Sequence, residues 1–149
     1  MTTESYFDEI ETGEQRETRG RTITEADVVN FAGVSGDFNH LHTDEEAMAE
    51  TGFGERIAHG MLVFSVATGL LWQSRPEREQ DAVVAFYGID HVRFVAPTFI
   101  GDTVHVEIEV LDKAERDHPV ANGVVRYGVE VVNQNDETVL ACEMLTLLE

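Results

Sequence analysis

One segment narrows the possible folds more than any other: Gly60-Met61-Leu62-Val63-Phe64-Ser65-Val66-Ala67-Thr68-Gly69-Leu70-Leu71-Trp72-Gln73. Its apolar side chains are nearly continuous, so as a helix it is apolar around its whole circumference. A helix of that kind is buried on every side. It is about 20 Å long, and the run from Met61 to Trp72 is too short to cross a bilayer. Something else in the chain must wrap it.

The wrapping material follows directly. Residues 82–95, 103–110, 124–132 and 138–147 read as strands, the first bent at Gly88. Thr103 to Val110 alternates cleanly, with Val104, Val106, Ile108 and Val110 on one face. Ala96-Pro97-Thr98-Phe99-Ile100-Gly101-Asp102 reads as a turn. Strands in succession on short connections pair antiparallel. The fold class is therefore α+β, an antiparallel β-sheet wrapped around a long central helix. Its exposed edge needs a cover, and a second copy of the chain is the simplest one. A homodimer, or a higher assembly of dimers, is expected.

Upstream, residues 1–15 are polar and acidic and read as a loosely packed lead-in to a single domain over 16–149. Gln15 to Ile23 is a weak first strand. Thr24-Glu25-Ala26-Asp27 is a capping box, opening a helix to Val34 with Val28, Phe31 and Ala32 on one face. Gly33, Ser35 and Gly36 end it. Thr43-Asp44-Glu45-Glu46 reads as a second capping box, for a short helix to Glu50, and 51–57 as loop. There is no internal repeat or low-complexity linker, and 149 residues suit one domain with a real core.

Charge restricts the partners. There are 29 acidic against 10 basic residues, a formal net charge of −19, and Lys113 is the only lysine. Such a surface repels nucleic acid and anionic lipid. Acid excess with lysine depletion looks like a salt-loving microbe's cytoplasm, where molar salt cuts the Debye length to about 3 Å and screens the self-repulsion; an acidic protein of an ordinary mesophile is the alternative. The single cysteine, Cys142, permits no intrachain disulfide and fits a reducing compartment. No apolar run precedes Met1-Thr2-Thr3-Glu4-Ser5, so no signal peptide is expected and the location is read as cytoplasmic.

Chemistry concentrates in two short stretches. Gly36-Asp37-Phe38-Asn39-His40-Leu41-His42 places a carboxylate and an imidazole five residues apart in a glycine-bounded turn. Ile57-Ala58-His59-Gly60-Met61 places a glycine at the mouth of the apolar helix. Adding water beside a carbonyl needs a base for the water, an acid for the α-carbon and a donor for the carbonyl oxygen. Asp37 and His42 sharing one water can serve the first two. A helix N-terminus, with free N–H groups and a positive dipole end, can serve the third. No metal, nucleotide or covalent intermediate is then needed.

With these stretches the chain resembles the MaoC-like dehydratases of the hot-dog fold, close to the (R)-specific enoyl-CoA hydratases. The resemblance rests on Gly36-Asp37-Phe38-Asn39-His40-Leu41-His42, on His59-Gly60-Met61, and on Phe94-Val95-Ala96-Pro97 followed by Gly101-Asp102. It runs from about residue 16 to the C-terminus. It implies that Asp37 and His42 are the catalytic pair, that Asn39 shapes their turn, and that the Gly60 N–H holds the thioester carbonyl. It also implies that Thr68 stands where relatives carry a serine lining the site. The implied substrate is a coenzyme A thioester, with no cofactor and no metal. Two positions depart from the pattern. His40 replaces a proline, which loosens the turn, and Thr68 adds a methyl group that narrows the pocket.

Other residues have plainer readings. His40, His42, His59 and Asp44 could chelate, but their spacing matches no zinc motif. His59 reads as a local donor before the helix. His91 and His105 sit on polar strand faces, and His118 in a turn. Phe64 and Trp72 read as core rather than acyl tunnel, and Cys142 as a buried inert thiol. Gly-x-Ser-x-Gly is absent, so a serine-hydrolase elbow has no support. Three function classes remain: a hydratase or dehydratase of acyl thioesters, a hot-dog thioesterase, and a non-catalytic acyl-binding subunit. The missing carboxylate between Gly60 and Gln73 counts against the second, and the intact Asp37 and His42 against the third. Arg56, Arg75, Arg78 and Arg93 are candidates for the coenzyme A phosphates.

Overall fold

The structure, a computed structural model, describes residues 4–149. Its elements are α1 (Tyr6–Glu9), β1 (Gln15–Glu17), β2 (Arg21–Thr22), α2 (Glu25–Ser35), α3 (His40–Thr43), α4 (Glu45–Ala49), α5 (Gly60–Ser74), α6 (Glu77–Ala82), β3 (Val83–Phe94), β4 (Thr103–Glu115), β5 (Gly123–Val132) and β6 (Thr138–Leu148).

The strands form one antiparallel sheet in the order β1-β4-β5-β6-β3, with β2 also pairing β4. The central helix α5 lies against β4 and β6. This is the hot-dog arrangement expected from the sequence. The alternation of β4 sets its orientation, because Val104, Val106, Ile108 and Val110 are all buried. They join Leu62, Val63, Phe64, Val66, Ala67, Leu70 and Leu71 of α5 in one core. The bend expected at Gly88 is a register shift against β6 between Phe86 and Gly88.

Four expectations change. Gln15 to Ile23 is two short strands rather than one, both on β4. The lead-in is packed, not loose: Ser5 and Asp8 form a capping box for α1, and Phe7 and Ile10 are core residues. Residues 1–3 of that lead-in lie outside the described residues. The short helix after residue 43 starts one residue later, on Asp44, whose side chain accepts the Ala47 N–H. Thr43 instead closes α3, with its hydroxyl in reach of the Phe38 and Asn39 carbonyls at 2.9 and 2.8 Å.

The fourth change concerns α5. It is not covered all round. Met61, Ser65 and Trp72 are exposed and Thr68 is half-buried, a strip at one-turn spacing along a single face. Trp72 is therefore not a core residue, whereas Phe64 is. The strip is open because the sheet covers only part of the helix. Beside it, the edge strand β3 pairs only with β6 and leaves Phe86, Tyr87 and Ile89 exposed.

At the opposite end of α5 a buried carboxylate ties four elements together. Glu79 of α6 has a side chain only 1% exposed. It receives Arg16 of β1 at 2.7 Å, Tyr6 of α1 at 3.1 Å and Tyr127 of β5 at 3.5 Å, with Arg75 at 3.4 Å. Burial first, and the Glu79 charge second, push both tyrosine hydroxyls well above their usual range. They stay protonated and donate.

Candidate active site

The site begins where α2 ends. Gly36 caps that helix in the left-handed conformation (φ 75°), which a residue with a β-carbon adopts at a cost. The turn delivers Asp37. Its carboxylate is gripped by Asn39: the backbone N–H and side-chain amide both donate to Oδ1, at 3.2 and 2.8 Å. Asn39 in turn caps α3, accepting the Leu41 N–H at 2.9 Å. The glycine-bounded turn is thus continued by one Asx-capped turn of helix. His40, the departure from the family pattern, occupies the first position of α3, where a proline would fit. The Asn39 cap and the Thr43 hydroxyl hold the turn without it.

α3 points His42 inward. The side chain is buried, and its Nδ1 lies 2.7 Å from the Ile57 carbonyl oxygen. A carbonyl only accepts, so Nδ1 carries the proton and Nε2 is the basic nitrogen. Ile57 is itself pinned to α3, its N–H donating to the Leu41 carbonyl at 3.0 Å. That contact places the start of α5 next to His42.

A third residue completes the cluster. The expectation for His59 was a local donor, but its Nδ1 accepts the Met61 N–H at 3.0 Å and so caps α5. Its Nε2 lies 3.1 Å from Asp37 Oδ2. Donor atoms of Asp37, His42 and His59 lie within 4.8 Å of one another, and the two imidazole rings are 5.0 Å apart. A cation held by all three would have to break the His59–Asp37 hydrogen bond and the His59 cap, since both nitrogens of that ring are in use. The alternative cluster read from sequence, with His40 and Asp44, does not form: Asp44 caps α4 and His40 is exposed.

The Asn39 backbone N–H, then its side-chain amide, hold the Asp37 carboxyl below the usual carboxylate range, opposed by burial, with His59 adding a smaller pull. Asp37 is a carboxylate at neutral pH and faces no arginine or lysine among the described residues.

Gly60 opens α5. A β-carbon there would lie 2.5 Å from the Phe94 ring, so any residue but glycine would push that ring aside. Its N–H has no acceptor among the described residues. Gly60 and His42 share a cleft of about 230 Å³ with Ile57, Ala58, Val63, Phe94 and Thr98. Thr68 is not part of this cluster. It lies about 12 Å further along the helix, donates its hydroxyl to the Ser65 carbonyl, and lines a separate apolar pocket of about 210 Å³ with Leu71, Trp72, Arg75, Phe86 and Met144. A larger groove of about 760 Å³ crosses β1, β4 and β5, bordered by Glu17, Glu107, Glu109 and Glu130. It holds none of the site residues, and its carboxylates would repel an anion. Burial pushes the Cys142 thiol up to about 11, in keeping with an inert side chain.

The chain is similar to known proteins over most of its length. The MaoC like domain family matches residues 8–133. The chain belongs to the MaoC-like domain family. Over 105 residues it is 45% identical to Protein MaoC of Klebsiella aerogenes, covering 69% of this chain and 30% of that protein. Over 101 residues it is 40% identical to the (R)-specific enoyl-CoA hydratase of Aeromonas caviae, covering 68% and 71%. The chain thus spans less than a third of the Klebsiella protein. A solved structure described as a monoamine oxidase regulatory protein of Archaeoglobus fulgius superposes with a TM-score of 0.88 at 44% identity, covering 96% of this chain and 93% of that one. An unliganded R-hydratase of Pseudomonas aeruginosa does so with a TM-score of 0.76 at 33% identity, covering 95% and 84%.

Proposed function

We propose that this MaoC-like chain adds water reversibly to a trans-2-enoyl coenzyme A thioester, giving the (R)-3-hydroxyacyl thioester. One observation carries the reading: an ionised Asp37 and a His42 with a basic Nε2 meet beside an unpartnered Gly60 N–H. Water is polarised between Asp37 and His42. One of its protons passes to the pair as the oxygen bonds to C3. The π electrons move toward the thioester, whose oxygen takes the Gly60 N–H. The enolate then collapses with the α-carbon receiving a proton from the pair, which ends as it began. The (R) outcome is inferred from the named hydratase relatives.

The four arginines named for the coenzyme A phosphates differ in their partners. Arg56 is bound by Glu25 and Glu45, Arg78 by Glu9, and Arg75 packs against Trp72 beside Glu79. Arg93, one residue from the Phe94 that covers Gly60, is exposed and has no carboxylate partner among the described residues. It is our candidate for a coenzyme A phosphate. Assembly as a homodimer through β3 would cover both that edge and the open strip of α5.

A hot-dog thioesterase is less well supported, because α5 carries no carboxylate from Gly60 to Ser74. The test is a panel of enoyl-CoA esters followed at the conjugated-thioester absorbance, with chiral analysis of the product. Loss of absorbance with an intact thioester supports hydration. Release of free coenzyme A with no hydroxyacyl product would overturn it.

A further inference from the structure

We propose that His59 is a positioning residue that fixes the Asp37 carboxylate to the N-terminus of the central helix, so that the acid/base pair and the thioester-oxygen donor keep one geometry. The inference rests on the hydration reading above and adds a third residue to it.

The tautomer follows from the contacts. The Met61 N–H can only donate, and it reaches His59 Nδ1 at 3.0 Å. Nδ1 is therefore unprotonated, the proton sits on Nε2, and Nε2 donates to Asp37 Oδ2 at 3.1 Å. A neutral imidazole does both jobs at once. Asn39 takes Oδ1 and His59 takes Oδ2, so neither carboxylate oxygen can rotate away from His42 without breaking a hydrogen bond. The ring is wedged between Phe31 and His42, each with its centroid 5.0 Å away.

The same residue selects the open donor of α5. Its carbonyl accepts the Leu62 and Val63 N–H groups at 2.9 and 3.2 Å, and its ring accepts that of Met61. Of the first four N–H groups of the helix, only that of Gly60 is left for a ligand. Because both functions run through one side chain, a shift of the helix end would carry the carboxylate with it. His59 touches neither water nor thioester in this scheme. It acts through Asp37.

Two isosteres separate the two bonds. In His59→Asn the side-chain oxygen occupies the place of Nδ1 and can keep the cap, while nothing reaches Asp37. In His59→Gln the amide nitrogen occupies the place of Nε2 and can keep the Asp37 bond, while the cap is lost. We expect His59→Asn to melt close to the parent but lose about 10- to 100-fold in kcat, the scale of a misplaced catalytic group, with a smaller change in KM. Its acid limb should move to higher pH, since Asp37 loses a donor to its ionised form. His59→Gln should melt several degrees lower through the lost cap, yet turn over faster than His59→Asn.

Parental kcat and acid limb in His59→Asn would overturn the proposal, as would His59→Gln falling as far as His59→Asn. Nitrogen NMR of the imidazole in the unmodified protein is independent of turnover. The Nε2–H tautomer is expected for His59, and an Nδ1–H tautomer would refute the assignment. If no enoyl-CoA ester is hydrated, the activity reading fails while the tautomer and the Asp37 titration in His59→Asn still decide this one.

Discussion

The two ends of α5 each hold a carboxylate, and they hold it in opposite ways. Glu79 is sealed from solvent between two guanidinium groups and two phenols. Asp37, 39% exposed, is held by an amide, a backbone N–H and a neutral imidazole. A permanent cation at bonding distance fixes a carboxylate's charge and makes it a structural tie. Neutral donors fix its direction and leave it able to take a proton. What suits Asp37 to the proposed acid/base role is what grips it rather than how deeply it lies.

The widest separation between the two should come from removing each in turn. Asp37→Asn or His42→Ala should lower turnover by about two to four orders of magnitude, the usual worth of an acid/base residue. Asp37→Asn should melt near the parent, whereas His42→Ala, which empties a buried position and frees the Ile57 carbonyl, should fold but melt lower. Near-parental rates in both variants would end the catalytic assignment. Glu79→Leu should do the reverse. It leaves two partly buried arginines without their carboxylate, which costs at most about 3–5 kcal/mol, while the protein that remains folded keeps its turnover per active molecule. Urea melts paired with active-site titration would show it. A Glu79→Leu protein as stable as the parent would mean that the tie is decorative.

A third experiment asks whether the open strip of α5 belongs to an interface. Light scattering should report a dimer at micromolar concentration in high salt. Ile89→Lys on the β3 edge should shift it toward monomer with loss of activity. A folded, active monomer of the parent chain would remove the assembly reading. The smallest effect is the most diffuse one. With a net charge of −19, the surface repels itself at low ionic strength. Raising KCl from millimolar to molar should raise the melting temperature and activity together. Screening acts on exposed charges, so the parent and Glu79→Leu should gain alike. Flat or falling stability would refute the halophilic reading and leave Asp37 and His42 untouched.

How much of this could be read from residues alone depended on distance along the chain. Asp37, Asn39 and His42 fall within one turn, so their spacing is their geometry. Gly60 announces itself at the head of an apolar run. His59 stands next to that glycine, yet its bond to Asp37 crosses 22 residues and a helix end, and no local pattern encodes it. Glu79 was invisible for the same reason, since its partners come from α1, β1, β5 and the end of α5. The α1 helix was legible and overlooked: Ser5 and Asp8 have capping-box spacing, and Phe7 and Ile10 supply the buried side. Thr68 is a different case: a pattern proposes it for the site, and the structure sets it apart from Asp37 and His42, with its hydroxyl donating to the Ser65 carbonyl and its side chain lining a pocket of its own.

The closeness of Phe94 to Gly60 reaches beyond catalysis, into how this chain can change over generations. A change at either position is felt at the other. An alanine at 60 arrives against an aromatic wall. A smaller residue at 94 opens the cleft and exposes the helix end to bulk water. A lineage that leaves this arrangement must pass through an intermediate that is either strained or leaky, or change both codons together. A double variant such as Gly60→Ala with Phe94→Leu should therefore fold better than Gly60→Ala alone.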